Sequence, residues 1–190
     1  MADSAVLQEE ARYTYREYKS WDIADGRYEL IDGIAYAMSA PSLLHQAVVA
    51  ALTAKFYTFL EGKSCKVYPA PLDVRLFYEE DERDDTVVQP DLSVICDEKK
   101  RGKEGCRGAP DLVAEIVSPS NSALEMERKF DLYRRAGVRE YWVIYPEFKT
   151  VTVYRFWEGE AEARFYGSGD TVSVGILPGL NIPLDSVFAE

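Results

Sequence analysis

Pro110-Asp111-Leu112-Val113-Ala114-Glu115-Ile116-Val117 leads through Ser122-Ala123-Leu124-Glu125 to Gly137, and Glu140-Tyr141-Trp142-Val143-Ile144 follows. The first run is too apolar for a strand with one wet face, so it reads as a central strand covered on both sides. Ser122 with Glu125 three residues later fits a capping box. Gly137 fits the left-handed position after a helix, so a helix runs from the cap to about Ala136. Strand, helix and strand in succession predict a crossover unit within a mixed sheet.

Leu92-Ser93-Val94-Ile95 has the same buried character. Further strands are expected near 65–68, 72–77 and 151–156. Tyr28-Glu29-Leu30-Ile31, Asp32-Gly33 and Ile34-Ala35-Tyr36-Ala37-Met38 predict a β-hairpin, because glycine tolerates the positive φ of a type I′ turn. Pro41-Ser42 opens a helix to about Leu60, with an apolar stripe of Leu44, Val48, Ala51, Leu52, Phe56 and Phe59, ended by Gly62. Residues 12–20 predict a short helix. With no repeat or linker, 1–190 reads as one domain of α/β (α+β) class.

The 190 residues are 47% hydrophobic, enough for a sizeable core. No run of about eighteen apolar residues predicts a membrane span. The amino-terminal stretch lacks a signal-peptide pattern, so a cytoplasmic location is expected. Cys65, Cys96 and Cys106 are odd in number and widely spaced, which predicts free thiols in a reducing compartment. The net charge of −11 lowers the expectation of strong non-specific nucleic-acid binding. Glu79-Glu80-Asp81-Glu82 with Asp84-Asp85 reads as a solvated loop.

Glu115 lies late in an otherwise apolar strand, where a lone carboxylate is costly unless paired or bound to metal. Alternation places Asp111, Val113, Glu115 and Val117 on one face. Asp91, at the head of the neighbouring apolar run, and Glu115 could together hold a hard cation such as Mg²⁺, which needs only one or two carboxylates beside its waters. A nearby lysine would stabilise developing negative charge. Position 117 is valine, so the candidate is Lys129 on the following helix.

Each residue also has a plainer reading. Asp91 could cap a turn, and Glu115 could pair with an arginine. Lys129 could pair with Glu125 four residues earlier. Glu29 could be an exposed strand residue, and Asp111 could have no chemical role. His45 is either a structural hydrogen-bonder or a neighbour of the site. Asp73 and Arg75, on one strand face, could form an ion pair or flank the site. Lys99-Lys100-Arg101-Gly102-Lys103 is a solvated turn or a contact to phosphates. Arg128, Arg134, Arg135 and Arg139 supply local positive charge.

Pro90-Asp91, Glu115 and a lysine resemble the PD-(D/E)XK nuclease signature. More narrowly, the chain resembles the Uma2 family of restriction-endonuclease-like proteins. The resemblance rests on Tyr28-Glu29-Leu30-Ile31-Asp32-Gly33, His45-Gln46, Asp73-Val74-Arg75 and Gln89-Pro90-Asp91-Leu92-Ser93-Val94. It extends through Gly108-Ala109-Pro110-Asp111-Leu112-Val113, Glu115-Ile116-Val117-Ser118-Pro119-Ser120, Lys129 with Tyr133, and Gly137-Val138-Arg139-Glu140-Tyr141-Trp142. It is strongest over 14–155.

The resemblance implies a restriction-endonuclease-like fold, a mixed central sheet flanked by helices. It implies metal binding by Asp91 and Glu115, the lysine role for Lys129, and Glu29 as a further acidic member. Tyr145 and Asn121 depart from the family pattern, which commonly has aspartate and threonine there.

The resulting expectation is an Mg²⁺- or Mn²⁺-dependent endonuclease acting on duplex DNA. Two alternatives stay open: a binding or regulatory protein that cleaves little, and a metal-dependent hydrolase of a small phosphorylated molecule. A homodimer is expected, with residues 162–188 either contributing to it or serving as plain core.

Overall fold

The computed structural model describes residues 11–22, 26–118, 123–158 and 160–189. Its centre is the predicted crossover. Strand β8 (Leu112–Ile116) runs parallel to β9 (Glu140–Tyr145), and helix α3 (Ala123–Ala136) connects them. Gly137 ends α3 at φ +87°, while the Ser122 cap and Asn121 lie outside the described residues.

These strands sit inside a six-stranded sheet. On one side β9 pairs with β10 (Thr150–Trp157), which pairs with β11 (Glu160–Tyr166). On the other side β8 pairs with β6 (Leu92–Ile95), which pairs with β3 (Lys66–Pro69). Every neighbouring pair except β8 and β9 is antiparallel. The mixed sheet is therefore as expected, and β6 and β8 are buried along their whole length.

Alternation sorts β8 between two cores. Leu112, Ala114 and Ile116 join Val48, Leu52 and Phe56 of helix α2 (Leu43–Leu60). Val113 joins Leu132 and Tyr133 of α3 on the opposite face. By length and composition α2 could cross a membrane, but its inner residues form core against the sheet. The buried stripe of α2 differs slightly from expectation. Val48, Val49, Leu52, Phe56 and Leu60 are buried, whereas Leu44 is 44% exposed.

A second sheet packs at the side. The hairpin β1 (Tyr28–Ile31) and β2 (Ile34–Ala37) turns through Asp32 and Gly33 at φ +48° and +81°, the two positive values a type I′ turn requires. β1 continues to β5 (Val87–Val88), β4 (Val74–Arg75) and β7 (Cys106–Arg107). The expected strand at 72–77 is thus two residues long, and the expected helix over 12–20 shrinks to α1 (Tyr15–Tyr18). The C-terminal region carries the hairpin β12 (Thr171–Ser173) and β13 (Asn181–Pro183).

Three other expectations are corrected. Cys65 and Cys96 form a disulfide and only Cys106 is a free thiol. The Lys66–Ile95 register of β3 and β6 sets these cysteines opposite each other, which their separation in sequence conceals. Asp84 is not solvated: it is buried and accepts hydrogen bonds from Arg75. Arg75 therefore pairs with Asp84 rather than Asp73, and Asp73 accepts instead from Gln89 and Tyr18. Finally, Val172, Val174, Leu177, Leu180, Ile182, Leu184, Val187 and Phe188 are buried in the α2-side core, whereas Phe165 on β11 is 80% exposed.

Candidate active site

The register of β6 and β8 pairs Leu92 with Ala114. One residue further along the same antiparallel ladder, Asp91 comes opposite Glu115, as the two apolar strands suggested. Both line a cavity of about 450 Å³ together with Arg27, Glu29, His45, Arg128 and Lys129. α2 supplies His45, the hairpin supplies Glu29, and α3 supplies Arg128 and Lys129.

Glu115 is 7% exposed. Its Oε1 accepts from Lys129 Nζ at 3.0 Å and from Tyr133 Oη at 2.5 Å. Lys129 Nζ also lies 3.1 Å from Glu29 Oε2. The ammonium is therefore buried between two carboxylates, which supersedes the expectation of a simple helical pair with Glu125. Glu29 is buried, not exposed, and its Oε1 accepts the Gln89 backbone N–H at 2.9 Å. Asp91 Oδ2 accepts the Ile116 N–H at 2.8 Å and lies 3.1 Å from His45 Nε2.

Electrostatics follow from this geometry. Burial pushes the Glu115 carboxyl up to about 7; Lys129 opposes that rise, and the nearby charges of Asp91 and Glu29 add to it. Lys129 is held well above its ordinary value. Burial works against its charged form, but Glu115 and then Glu29 outweigh it. The Tyr133 hydroxyl is also raised, by burial and by Glu115, so it stays protonated and donates. Two buried carboxylates, Glu29 and Glu115, share one ammonium, and the half-buried Asp91 carboxylate lines the same cavity, so negative groups outnumber that ammonium.

That deficit is the test for a cation. The oxygen-only set Asp91 and Glu115 suits a hard divalent ion that keeps several waters. Among the described residues no cluster of three His, Cys, Asp or Glu side chains stands at metal-holding distances, so the protein would supply no closed cage. Two carboxylates with an open side fit Mg²⁺ or Mn²⁺ and not a structural zinc site.

The other sequence candidates fall away from the cavity. Asp111 Oδ2 accepts the Cys96 N–H, and Oδ1 lies 3.3 Å from Arg139, so it ties strand ends together. Lys100 Nζ donates to the Ala109 carbonyl, holding its own turn. Asp73 is one step removed, bonded to Gln89 Nε2, whose residue also receives Arg27. Tyr133 and Arg27 were not singled out as site residues. The signal for Tyr133 was its place four residues after Lys129, on the same helical face. Arg27 carried no signal, since the hairpin alone brings it to the rim.

The Uma2 family profile, described as "Putative restriction endonuclease", matches residues 14–185. An uncharacterized Synechocystis protein, slr1290, is 30% identical over 118 residues, which is 62% of this chain and 60% of that relative. The chain thus spans under two thirds of that relative's length. An Anabaena variabilis protein, whose crystal structure is titled "a putative nuclease belonging to DUF820", shares the fold. Its TM-score is 0.72 at 22% identity, over 93% of this chain and 98% of the other.

Proposed function

The chain belongs to the Uma2 family, and from that membership we propose that its cavity is the active site of a divalent-metal-dependent endonuclease that hydrolyses phosphodiester bonds of duplex DNA. The observation that carries this reading is the convergence of Asp91, Glu115, Glu29 and Lys129 from four separate elements on one cavity.

Asp91 and Glu115 would hold the ion, Mg²⁺ or Mn²⁺. When bound, such an ion supplies Lewis-acid polarisation of a phosphoryl oxygen and activation of water. Lys129 holds a fixed positive charge where negative charge develops on the reacting phosphate, and burial strengthens that interaction. Glu29 and Glu115 hold the ammonium in place, and Tyr133 fixes the rotamer of Glu115. Arg27 and Arg128, at the cavity wall, would take flanking phosphate oxygens without reading base sequence. A twofold dimer would place two such sites for cutting both strands.

A second reading, hydrolysis of a small phosphorylated molecule, is favoured by one observation. A cavity of about 450 Å³ falls within the range of small-molecule pockets.

The experiment incubates the protein with supercoiled plasmid and linear duplex in Mg²⁺, Mn²⁺ or EDTA, beside Asp91→Ala and Lys129→Ala. Metal-dependent nicking or cutting lost in both variants is the expected result. Metal binding without cleavage of either DNA, with release of phosphate from small phosphodiesters, selects the second reading. Metal binding with neither activity selects a binding protein.

A further inference from the structure

His45 is the single histidine of the chain, and the function proposed above gives it no task. Ser42 Oγ accepts the His45 backbone N–H at 3.1 Å, capping α2 and fixing its first turn. The imidazole is thereby set against Asp91 and is 9% exposed. Its Nε2 lies 3.1 Å from Asp91 Oδ2, the same oxygen that accepts the Ile116 N–H. Nδ1 is buried and has no hydrogen-bond partner among the described residues.

A neutral imidazole carries one ring proton, donating at one nitrogen and accepting at the other. With a carboxylate facing Nε2, that proton belongs on Nε2. The opposite tautomer would set two lone pairs against each other and gain nothing at Nδ1. The imidazole contact and the Ile116 N–H then both fall on Oδ2. They bear on one oxygen and leave Oδ1 without a hydrogen bond from the described residues.

We infer that His45 is a positioning residue: its Nε2–H, together with the Ile116 N–H, holds the Asp91 carboxylate in the orientation that receives the divalent cation. The inference rests on the metal-centre reading above. Partners that orient ligating groups in this way typically change metal affinity about 10–100-fold when removed.

Because there is one histidine, the imidazole ¹⁵N spectrum reports this residue alone. The experiment records that spectrum for wild type and Asp91→Ala. It also measures Mn²⁺ affinity by calorimetry for wild type, Asp91→Ala, His45→Leu and His45→Gln, with near-ultraviolet circular dichroism to confirm folding. The expected result is the Nε2-protonated tautomer in wild type, lost or mixed in Asp91→Ala. Mn²⁺ affinity should fall about 10–100-fold in His45→Leu and return to within about threefold in His45→Gln, whose amide can still donate. An Nδ1-protonated imidazole, or His45→Leu binding Mn²⁺ as wild type does, overturns the positioning role. Should His45→Leu fail to fold, the tautomer and the His45→Gln affinity decide the question. Wild type and Asp91→Ala binding Mn²⁺ alike, or neither binding it, overturns the metal centre itself and this inference with it.

Discussion

Replacing Lys129 with methionine keeps most of the side-chain length and removes the charge that Glu115 and Glu29 share. Lys129 is 5% exposed and its Nζ lies 3.0 Å from Glu115 and 3.1 Å from Glu29. Breaking a buried ion pair from one side costs about 3–5 kcal/mol, because the remaining charge is left uncompensated. For a domain of this size that lowers the melting temperature on the order of 10 °C. The loss should depend on pH in a defined direction. Burial raises the Glu115 carboxyl to about 7 even with Lys129 present. A carboxyl raised in the folded state contributes stability that is present at low pH and lost as pH rises through its folded value. In wild type that loss ends near pH 7. In Lys129→Met the ammonium no longer holds the value down, so the loss continues above pH 7. The gap between variant and wild type should therefore widen by about 1.4 kcal/mol for each further pH unit, until the shifted carboxyl has ionised. Urea unfolding of both proteins in metal-free buffer, from about pH 6 to pH 9, measures it. A gap that stays flat across that range, or a loss below about 1 kcal/mol at the alkaline end, refutes the account.

Three further outcomes follow from the same structure. Asp84→Ala strands the buried Arg75 guanidinium, which also lies over the Tyr15 and Tyr78 rings, and should cost about 3–5 kcal/mol in denaturant unfolding; the double replacement Arg75→Met with Asp84→Leu should recover most of it. Cys65→Ser with Cys96→Ser opens a loop of 31 residues in sequence separation and should destabilise by about 3–4 kcal/mol. Reductant should lower the melting temperature of wild type and leave that of the double variant unchanged. Tyr133→Phe removes the hydroxyl that donates to Glu115 and helps hold its carboxyl down. Glu115 then keeps its proton to higher pH, so Mn²⁺ binding, followed calorimetrically against pH, should begin at a higher pH than in wild type; an unchanged profile would return Tyr133 to a packing role.

Local rules reached far into this protein. The Asp32-Gly33 turn, the Ser42 cap, the Gly137 stop and the two buried strands are properties of short segments. Each follows from backbone sterics, unsatisfied helix-end groups or the cost of wetting an apolar run, and the structure holds all of them in place. The crossover from β8 to β9 was legible for the same reason, since a strand, a capped helix and a second buried strand leave few ways to cover one another. The candidacy of Glu115 was legible from its chemistry alone, because a carboxylate in such a strand demands a partner.

What stayed hidden was most of what depends on which distant segments meet. A two-residue strand such as β5 or β7 has no periodicity of its own and exists only because a neighbour offers free backbone groups. Cys65 and Cys96 become opposite only through the register of two paired strands. Arg75 chooses Asp84 over Asp73 because the returning loop buries the former beside it. Lys129 bridges Glu29, one hundred residues away, rather than only its own helix. Sequence by itself determined the long helices, the central strands and the carboxylate that could not stand alone, since those rest on local energies of the order of the whole fold's margin. The tertiary structure alone decided which charges became partners, because a charge taken from water is stabilised by whatever lies within a few ångströms in space, and proximity in space is not encoded by proximity along the chain.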